Sequence, residues 1–270
     1  MLRAAAKYSR PSIEGVEGDA DIAKIGALVA DRARARILLA LGDGRALPAS
    51  VLADEAGVAP STASAHLSKL VVGGMLEVER HGRHRYFRVA GPGVAELIEA
   101  LARLSPPSSV RSLREGTRAQ AVRFARTCYD HLAGMLGTSL MDVMLRRGLI
   151  AGGDGVFDPR AARADRLAAP GFDLDYRLTP RGVEELTSFG IDLPSLGERR
   201  RPMIRYCVDW SEQRHHLAGS LGAALAERMF ELAWVQRSRT GRAVRVSDAG
   251  RRGLRETFGL EVSDRYRRSE

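Results

Sequence analysis

Two cysteines in 270 residues cannot build a disulfide framework, which sets aside the small secreted scaffolds and suits a reducing interior. No apolar run approaches the roughly 18 residues that a membrane-spanning helix needs, so a membrane partner is not expected. Residues Met1–Arg10 carry basic side chains but no apolar stretch or small-residue cleavage site, so the expected location is the cytoplasm. Also absent are the Walker phosphate loop, the glycine fingerprint of dinucleotide binding and the His-Glu-x-x-His zinc motif. Asp130, Asp209 and Glu212 stand near no visible nucleophile–base–orienter set, and the chain is not expected to be an enzyme.

What is present is basic charge. Lys and Arg number 42 against 33 Asp and Glu, a net charge of +9 at pH 7. That excess favours an anionic partner, because each phosphate neutralised releases condensed counterions. A hydrophobic share of 44% over this length supports a buried core and two modest domains.

Residues 1–18 are expected to be irregular, and periodicity then predicts helices over 19–30 and 31–41, with Ile22, Ile25, Leu28, Val29, Ile37, Leu38 and Leu41 at helical spacing. Asp31 is the N-cap between them, and Gly42-Asp43-Gly44 ends the second. A short helix over 48–56 stops at Gly57, and Pro60 opens another that runs to Val72 before Gly73-Gly74. Residues 75–89 alternate like a hairpin with a basic tip, with Phe87 favoured over Tyr86 as the core residue. A helix over 94–104 and a Ser/Pro linker at 105–110 follow.

A helix that enters the major groove needs short or polar side chains at its leading end and an apolar rear. In the helix after Pro60, Ser61, Thr62, Ser64, Ala65, Ser68 and Lys69 fall on or beside one face, and Leu67, Leu70 and Val71 on the other. His66 reads equally as a DNA contact or as a packing or capping histidine. The hairpin puts Arg80, Arg83, His84 and Arg85 where a wing would meet phosphate or the minor groove.

Residues 19–104 resemble the ArsR/SmtB family of small bacterial repressors. The resemblance is carried by Ile25-Gly-Ala-Leu-Val-Ala-Asp31, Arg34-x-Arg36-Ile-Leu-Leu-Ala-Leu41, Leu52-Ala53, Val58-x-x-Ser61-Thr-x-Ser64-x-His66-Leu67 and Gly82-Arg83-x-x-Tyr86-x-x-Val89. It implies a winged-helix homodimer through the first and last helices of this segment, binding double-stranded DNA and released by an inducer or metal. The family's metal ligands are missing at two places: the stretch Ala49–Ala53 has no Cys-x-Cys, and Lys69 and Gly73 replace the recognition-helix cysteines of the cadmium/lead branch.

The second half contains a repeat. His131-Leu-Ala-Gly-Met-Leu-Gly137 recurs as His216-Leu-Ala-Gly-Ser-Leu-Gly222, identical at all but one position. Cys128-x-Asp130 matches Cys207-x-Asp209, and the Thr179 segment matches the Ser247 segment as a capped terminal helix. Each copy, 111–191 and 192–262, is expected to run helix, helix, strand, helix, as two winged-helix-like repeats in one domain, with 154–170 a loop and 263–270 a basic tail. Cys128 and His131 are expected three apart on one helix face. With Cys207 and His216 (or His215) they form a tetrahedral set suited to zinc, cadmium or lead if the copies meet. The alternative is buried cysteines acting as small apolar groups, with each His capping its Leu-Ala-Gly turn.

The fold expected is therefore mainly α with small β wings (α+β). The function expected is a DNA-binding transcriptional repressor released by an effector, a soft metal ion or a small molecule. Two alternatives are a bifunctional chain whose C-terminal half binds or processes a small molecule, and a DNA-associated protein of low specificity.

Overall fold

A computed structural model describes residues 19–82, 84–106, 109, 112–158, 174–198, 201–239 and 241–262. The expectations for residues 1–18, for Arg83, for most of the 154–170 loop and for the 263–270 tail lie outside these described residues.

Five helices and one small sheet form the N-terminal unit: α1 (Ile22–Val29), α2 (Arg32–Leu41), β1 (Leu47–Pro48), α3 (Ala49–Ala56), α4 (Pro60–Val72), β2 (Leu76–His81), β3 (His84–Val89) and α5 (Pro92–Leu104). Local chemistry sets their limits. The Asp31 carboxylate accepts the Arg34 backbone N–H and caps α2. Gly57 ends α3 in the left-handed region at φ +70, where a side chain is strained, and Pro60 fills the first turn of α4, where its missing donor costs nothing. The sheet order is β1-β3-β2, with Phe87 opposite both Leu47 and Val78. Phe87 is buried with Ile37, Leu38, Leu41, Leu52, Leu67, Leu70 and Ile98 in one core. At roughly 1.5–3 kcal/mol for each fully buried large apolar side chain, this core is what holds α4 and the β2–β3 hairpin in fixed relation. The N-terminal unit is a winged helix-turn-helix.

The second half begins with α6 (Leu113–Phe124). Two matched runs follow. The first is β4 (Arg126–Cys128), β5 (His131–Ala133), α7 (Gly134–Arg146), β6 (Ile150–Ala151), β7 (Arg177–Leu178) and α8 (Pro180–Ser188). After α9 (Leu193–Gly197) comes the second: β8 (Arg205–Val208), β9 (His215–Ala218), α10 (Gly219–Glu231), β10 (Val235–Arg237), β11 (Val244–Val246) and α11 (Asp248–Gly253), which continues as a π-helical turn to Phe258. Each run starts as a β hairpin and not as the expected helix. Cys128 and His131 lie opposite each other across a β hairpin, as do Cys207 and His216. A helix cannot run on from these segments, because Gly134 and Gly219 stand at φ +76 and +80. Thr179 and Ser247 cap the terminal helices through their hydroxyls, accepting from Gly182 N–H and Gly250 N–H.

The two runs share one core, in which Leu140 and Met144 of α7 and Leu225 and Met229 of α10 are all buried. Their packing is reciprocal: α7 lies on β9 and α10 on β5, so each helix covers the other run's hairpin.

The winged helix is docked onto this second half by ion pairs on buried carboxylates. Asp43, Glu55 and Glu99 from the N-terminal unit are all buried. Asp43 faces Arg237 at 3.8 Å, Glu55 pairs with Arg118, and Glu99 pairs with Arg242 and stands 3.9 Å from Arg126. Arg45 donates to the Ser238 and Gly241 carbonyls, and the Tyr129 N–H donates to Gly42 O at 2.8 Å.

Burial disfavours the charged form of Glu99, but Arg242 and Arg126 outweigh it and hold its pKa below the ordinary value. A lowered carboxyl pKa contributes stability that is complete above the ordinary range and is lost as pH falls through the lowered value. Glu99→Gln should therefore reduce the melting temperature at neutral pH and weaken its dependence on acid. Melts from neutrality down to about pH 3, below the ordinary Glu range, check this. A variant with the wild-type pH profile would show that Glu99 does not hold the interface by its charge.

Candidate DNA interface and candidate metal centre

On α4, Ala63, Leu67 and Leu70 are buried, while Ser61, Thr62, Ala65, Ser68 and Lys69 are exposed and Ser64 is half-buried. The exposed row is small and polar over the first two turns, so the backbone of α4 is accessible to a close-fitting partner. His66 leaves this row: its Nδ1 lies 3.7 Å from Asp31 Oδ1, against the start of α2. Arg80, His84 and Arg85 are exposed on the β2–β3 hairpin, and Arg88 is drawn back by Glu77 and Glu79 at 2.7 and 3.0 Å. Helix α1 has no buried residue; Ile22 is 79% exposed, and on α5 Leu104 is 85% exposed.

The second feature lies where the two C-terminal hairpins meet. One donor atom each from Cys128, His131, Cys207 and His216 falls within 4.8 Å of all the others. Cys128, His131 and His216 are buried and Cys207 is half-buried; both cysteines are free thiols. The two imidazoles lie 5.2 Å apart between centroids with a tilt of 32°. The strands bring each Cys beside its own His, and the reciprocal packing brings the pairs together. Gly137 and Gly222 lie at this crossing, and each is packed against the strand that precedes its own helix. A Cβ on either would stand 2.5 Å from a backbone carbonyl oxygen, Leu132 O or Leu217 O, and 3.5 or 3.3 Å from the β carbon of His216 or His131.

The capping alternative does not occur, since neither α7 nor α10 has a side-chain cap. Each His instead has a carboxylate at Nδ1. Asp130 Oδ1 is 3.1 Å from His131 Nδ1, and Asp209 Oδ2 is 3.5 Å from His216 Nδ1. His131 Nε2 and both ring nitrogens of His216 are buried without a hydrogen bond. The Cys128 thiol donates a hydrogen bond to Cys207, and this together with burial pushes it up to about 12. Burial opposes charge on His131, but Cys128 and Asp130 outweigh it and raise its pKa.

The donors fit a tetrahedral soft metal ion. Metal–sulfur and metal–nitrogen bonds of about 2.3 and 2.0 Å imply donor separations of roughly 3.3–3.8 Å, a contraction of about an ångström from the spread found here. Carboxylates behind the imidazoles fix ring orientation and leave Nε2 for the ion. His215, the alternative ligand, is engaged elsewhere, with its Nδ1 2.8 Å from the Tyr176 hydroxyl.

One residue of this centre, Arg126, escapes notice in the sequence, and so does the burial of Asp209 beside it. Asp209 is fully buried and accepts hydrogen bonds from Gly134 N–H at 2.6 Å and from Arg126 at 2.9 Å. Arg126 is itself fully buried and stacks on Trp210 at 4.7 Å. The signal was available: Arg126-x-Cys128-x-Asp130 recurs as Arg205-x-Cys207-x-Asp209. Asp130 differs from its counterpart in being half-exposed and paired with Arg201.

Comparison with known proteins identifies a helix-turn-helix domain over residues 29–79. The uncharacterized HTH-type transcriptional regulator YdfF of Bacillus subtilis strain 168 is 37% identical over 242 residues, covering 90% of this chain and 99% of that protein. The HTH-type transcriptional regulator Rv0324 of Mycobacterium tuberculosis is 40% identical over 78 residues, 28% of this chain and 34% of that one. Among solved structures, the homodimeric winged helix-turn-helix DNA-binding domain of Mb0332 from Mycobacterium bovis, a possible ArsR-family regulator, is 36% identical. It covers 31% of this chain and 75% of that chain with a TM-score of 0.28.

Gly137→Ala, and separately Gly222→Ala, should lower stability by about 1–3 kcal/mol, the usual cost of overpacking a tight contact. Urea denaturation checks this; full stability in both variants would mean the helix starts are not held tightly against the Leu132 and Leu217 carbonyls.

Proposed function

Since this chain belongs to the HTH-type transcriptional regulators, we propose that it is a sequence-specific repressor of ArsR type, released from double-stranded DNA by a soft metal ion. The observation that carries DNA reading is the row of exposed short side chains on α4 beside the exposed cations of the wing. Ser61, Thr62, Ala65, Ser68 and Lys69 face bases, with Ser64 at the edge of the row. Arg80, His84 and Arg85 meet phosphate or the minor groove, and the same role falls to Arg83 from its place in the sequence. His66 serves α4 by packing against the start of α2.

The working unit is a homodimer through α1 and α5. Ile22, Ile25, Leu101 and Leu104 are exposed there, apolar side chains that a second copy would cover. Two recognition helices then reach successive major grooves about 34 Å apart on a palindromic site. No helix among the described residues is long and apolar enough to cross a membrane, which suits a regulator acting beside the DNA in the cytoplasm.

The effector site is the Cys128, His131, Cys207 and His216 centre, supported by the close approach of its four donors and by the unbonded imidazole nitrogens. Two thiolates and two imidazoles favour zinc, cadmium or lead over hard cations such as magnesium. Asp130 and Asp209 orient the imidazoles, and uptake displaces the thiol protons.

Two measurements test the two halves of this reading. Arg85→Ala should weaken binding to all DNA and reduce the slope of log K against log salt by about 1, whereas Ser68→Ala should relax sequence preference and keep the slope. An unchanged slope in Arg85→Ala would take the wing out of DNA binding. For the centre, the wild type should take up one zinc or cadmium ion per chain and lose DNA affinity on loading, and the Cys128→Ser, Cys207→Ser double variant should do neither. Absence of uptake by the wild type, or equal uptake by the double variant, would end the metal reading.

A further inference from the structure

The four-residue centre and the DNA-binding unit are joined by a chain of buried charges. Asp209 Oδ2 lies 3.5 Å from His216 Nδ1 and already accepts from Arg126 at 2.9 Å and from the Gly134 N–H at 2.6 Å. Its other oxygen, Oδ1, accepts from the Ser211 hydroxyl and from the backbone N–H groups of Ser211 and Glu212. Asp209 is thus clamped on one side and contested on the other. Arg126, on β4, is fully buried, and its Nε makes no hydrogen bond. Its NH2 nitrogen stands 3.9 Å from Glu99 Oε2, an oxygen that is also buried without a hydrogen bond. Glu99 belongs to α5, the last helix of the winged helix-turn-helix, and its Oε1 is held by Arg242.

One guanidinium therefore sits between two buried carboxylates and fully satisfies only one. A shift of about an ångström would bring it into hydrogen-bond range of Glu99 Oε2, since such charged contacts close to about 2.8 Å. A histidine that ligates through Nε2 turns its Nδ1–H outward, and for His216 the acceptor in that direction is Asp209 Oδ2. That oxygen already has two donors, so a third competes with Arg126. The other histidine has no such connection inward: Asp130 is half-exposed and paired with Arg201.

We propose that Arg126 is a toggle that carries occupancy of the Cys128–His131–Cys207–His216 centre to α5, its guanidinium moving from Asp209 toward Glu99 when His216 becomes a ligand. The inference rests on the metal reading above and specifies its regulation. Asp209, Arg126 and Glu99 act as positioning residues: none ligates the ion and none touches DNA. Because α5 is a dimer element in the proposed assembly, a change in its hold on Glu99 alters how the two recognition helices are set relative to each other.

The test uses the full chain with zinc as probe. Zinc affinity is measured by chelator competition, DNA affinity with and without zinc, and hydrogen exchange of residues 92–104 in both states. In the wild type, zinc should weaken DNA binding by about 10-fold or more and change exchange in α5, within the usual range of coupling between sites. Glu99→Gln and Arg126→Lys should each bind zinc within a few-fold of the wild type, while the zinc-dependent change in DNA affinity falls to about 2-fold or less and the α5 response disappears. Arg126→Lys keeps the buried positive charge next to Asp209 but cannot span both carboxylates, which guards against simple misfolding of one variant. Persistence of the full zinc effect in either folded variant overturns the toggle and leaves the metal centre standing. Failure of the wild type to bind zinc overturns the centre and the toggle together.

Discussion

Buried charge has to be neutralised where it stands, and this requirement organises the molecule. Removing an ion from water costs several kcal/mol, recovered only when a partner is placed within hydrogen-bond range. Here Asp43, Glu55 and Glu99 lie under the winged helix; Arg45 of the same unit meets Asp43, with Arg237 at 3.8 Å, and Arg118 and Arg242 of the second half meet Glu55 and Glu99. The winged helix-turn-helix is therefore not a bead on a string. Its rear surface is completed by Arg118, Arg126, Arg237 and Arg242, and the backbone contact of Tyr129 with Gly42 closes the same seam. Arginine suits this seam because its planar fork can address two acceptors at once.

Much of the N-terminal architecture was legible in the sequence, for identifiable reasons. Asp31, Gly57 and Pro60 are punctuation with one physical meaning each, and the alternation around Phe87 has a single buried face. The second half was harder. Strands of three residues, such as Arg126–Cys128 and His131–Ala133, are too short to display a period of two, and being buried throughout they show no polar face. The glycines that follow them, Gly134 and Gly219, were the available evidence against a continuous helix. The grouping of Cys128, His131, Cys207 and His216 could still be inferred, because it depended on matching the repeats and not on the local conformation. Arg126 stands in the repeated Arg-x-Cys-x-Asp pattern, but its burial is not foreseeable from residue type, and Glu99, far from it along the chain, stands in no motif.

The repeat also explains the glycines of the second half. Gly137 and Gly222 lie where a helix crosses the opposite hairpin, and a side chain is costly at both because each helix start presses on the carbonyl of its own preceding strand, Leu132 O or Leu217 O. Symmetry is then broken at the carboxylates: Asp209 is enclosed with Arg126, whereas Asp130 faces water with Arg201. One half of the cluster is tied to the interior and the other to the surface.

Carrying both hairpins on one polypeptide has a thermodynamic consequence. A donor set divided between separate molecules falls apart on dilution, because each partner has to be recruited from solution. Tethered hairpins see each other at a local concentration fixed by the intervening chain, commonly in the millimolar range for short flexible connections. The cluster is thereby assembled at any cellular abundance of the protein, even at the handful of copies at which an association between separate chains would begin to fail.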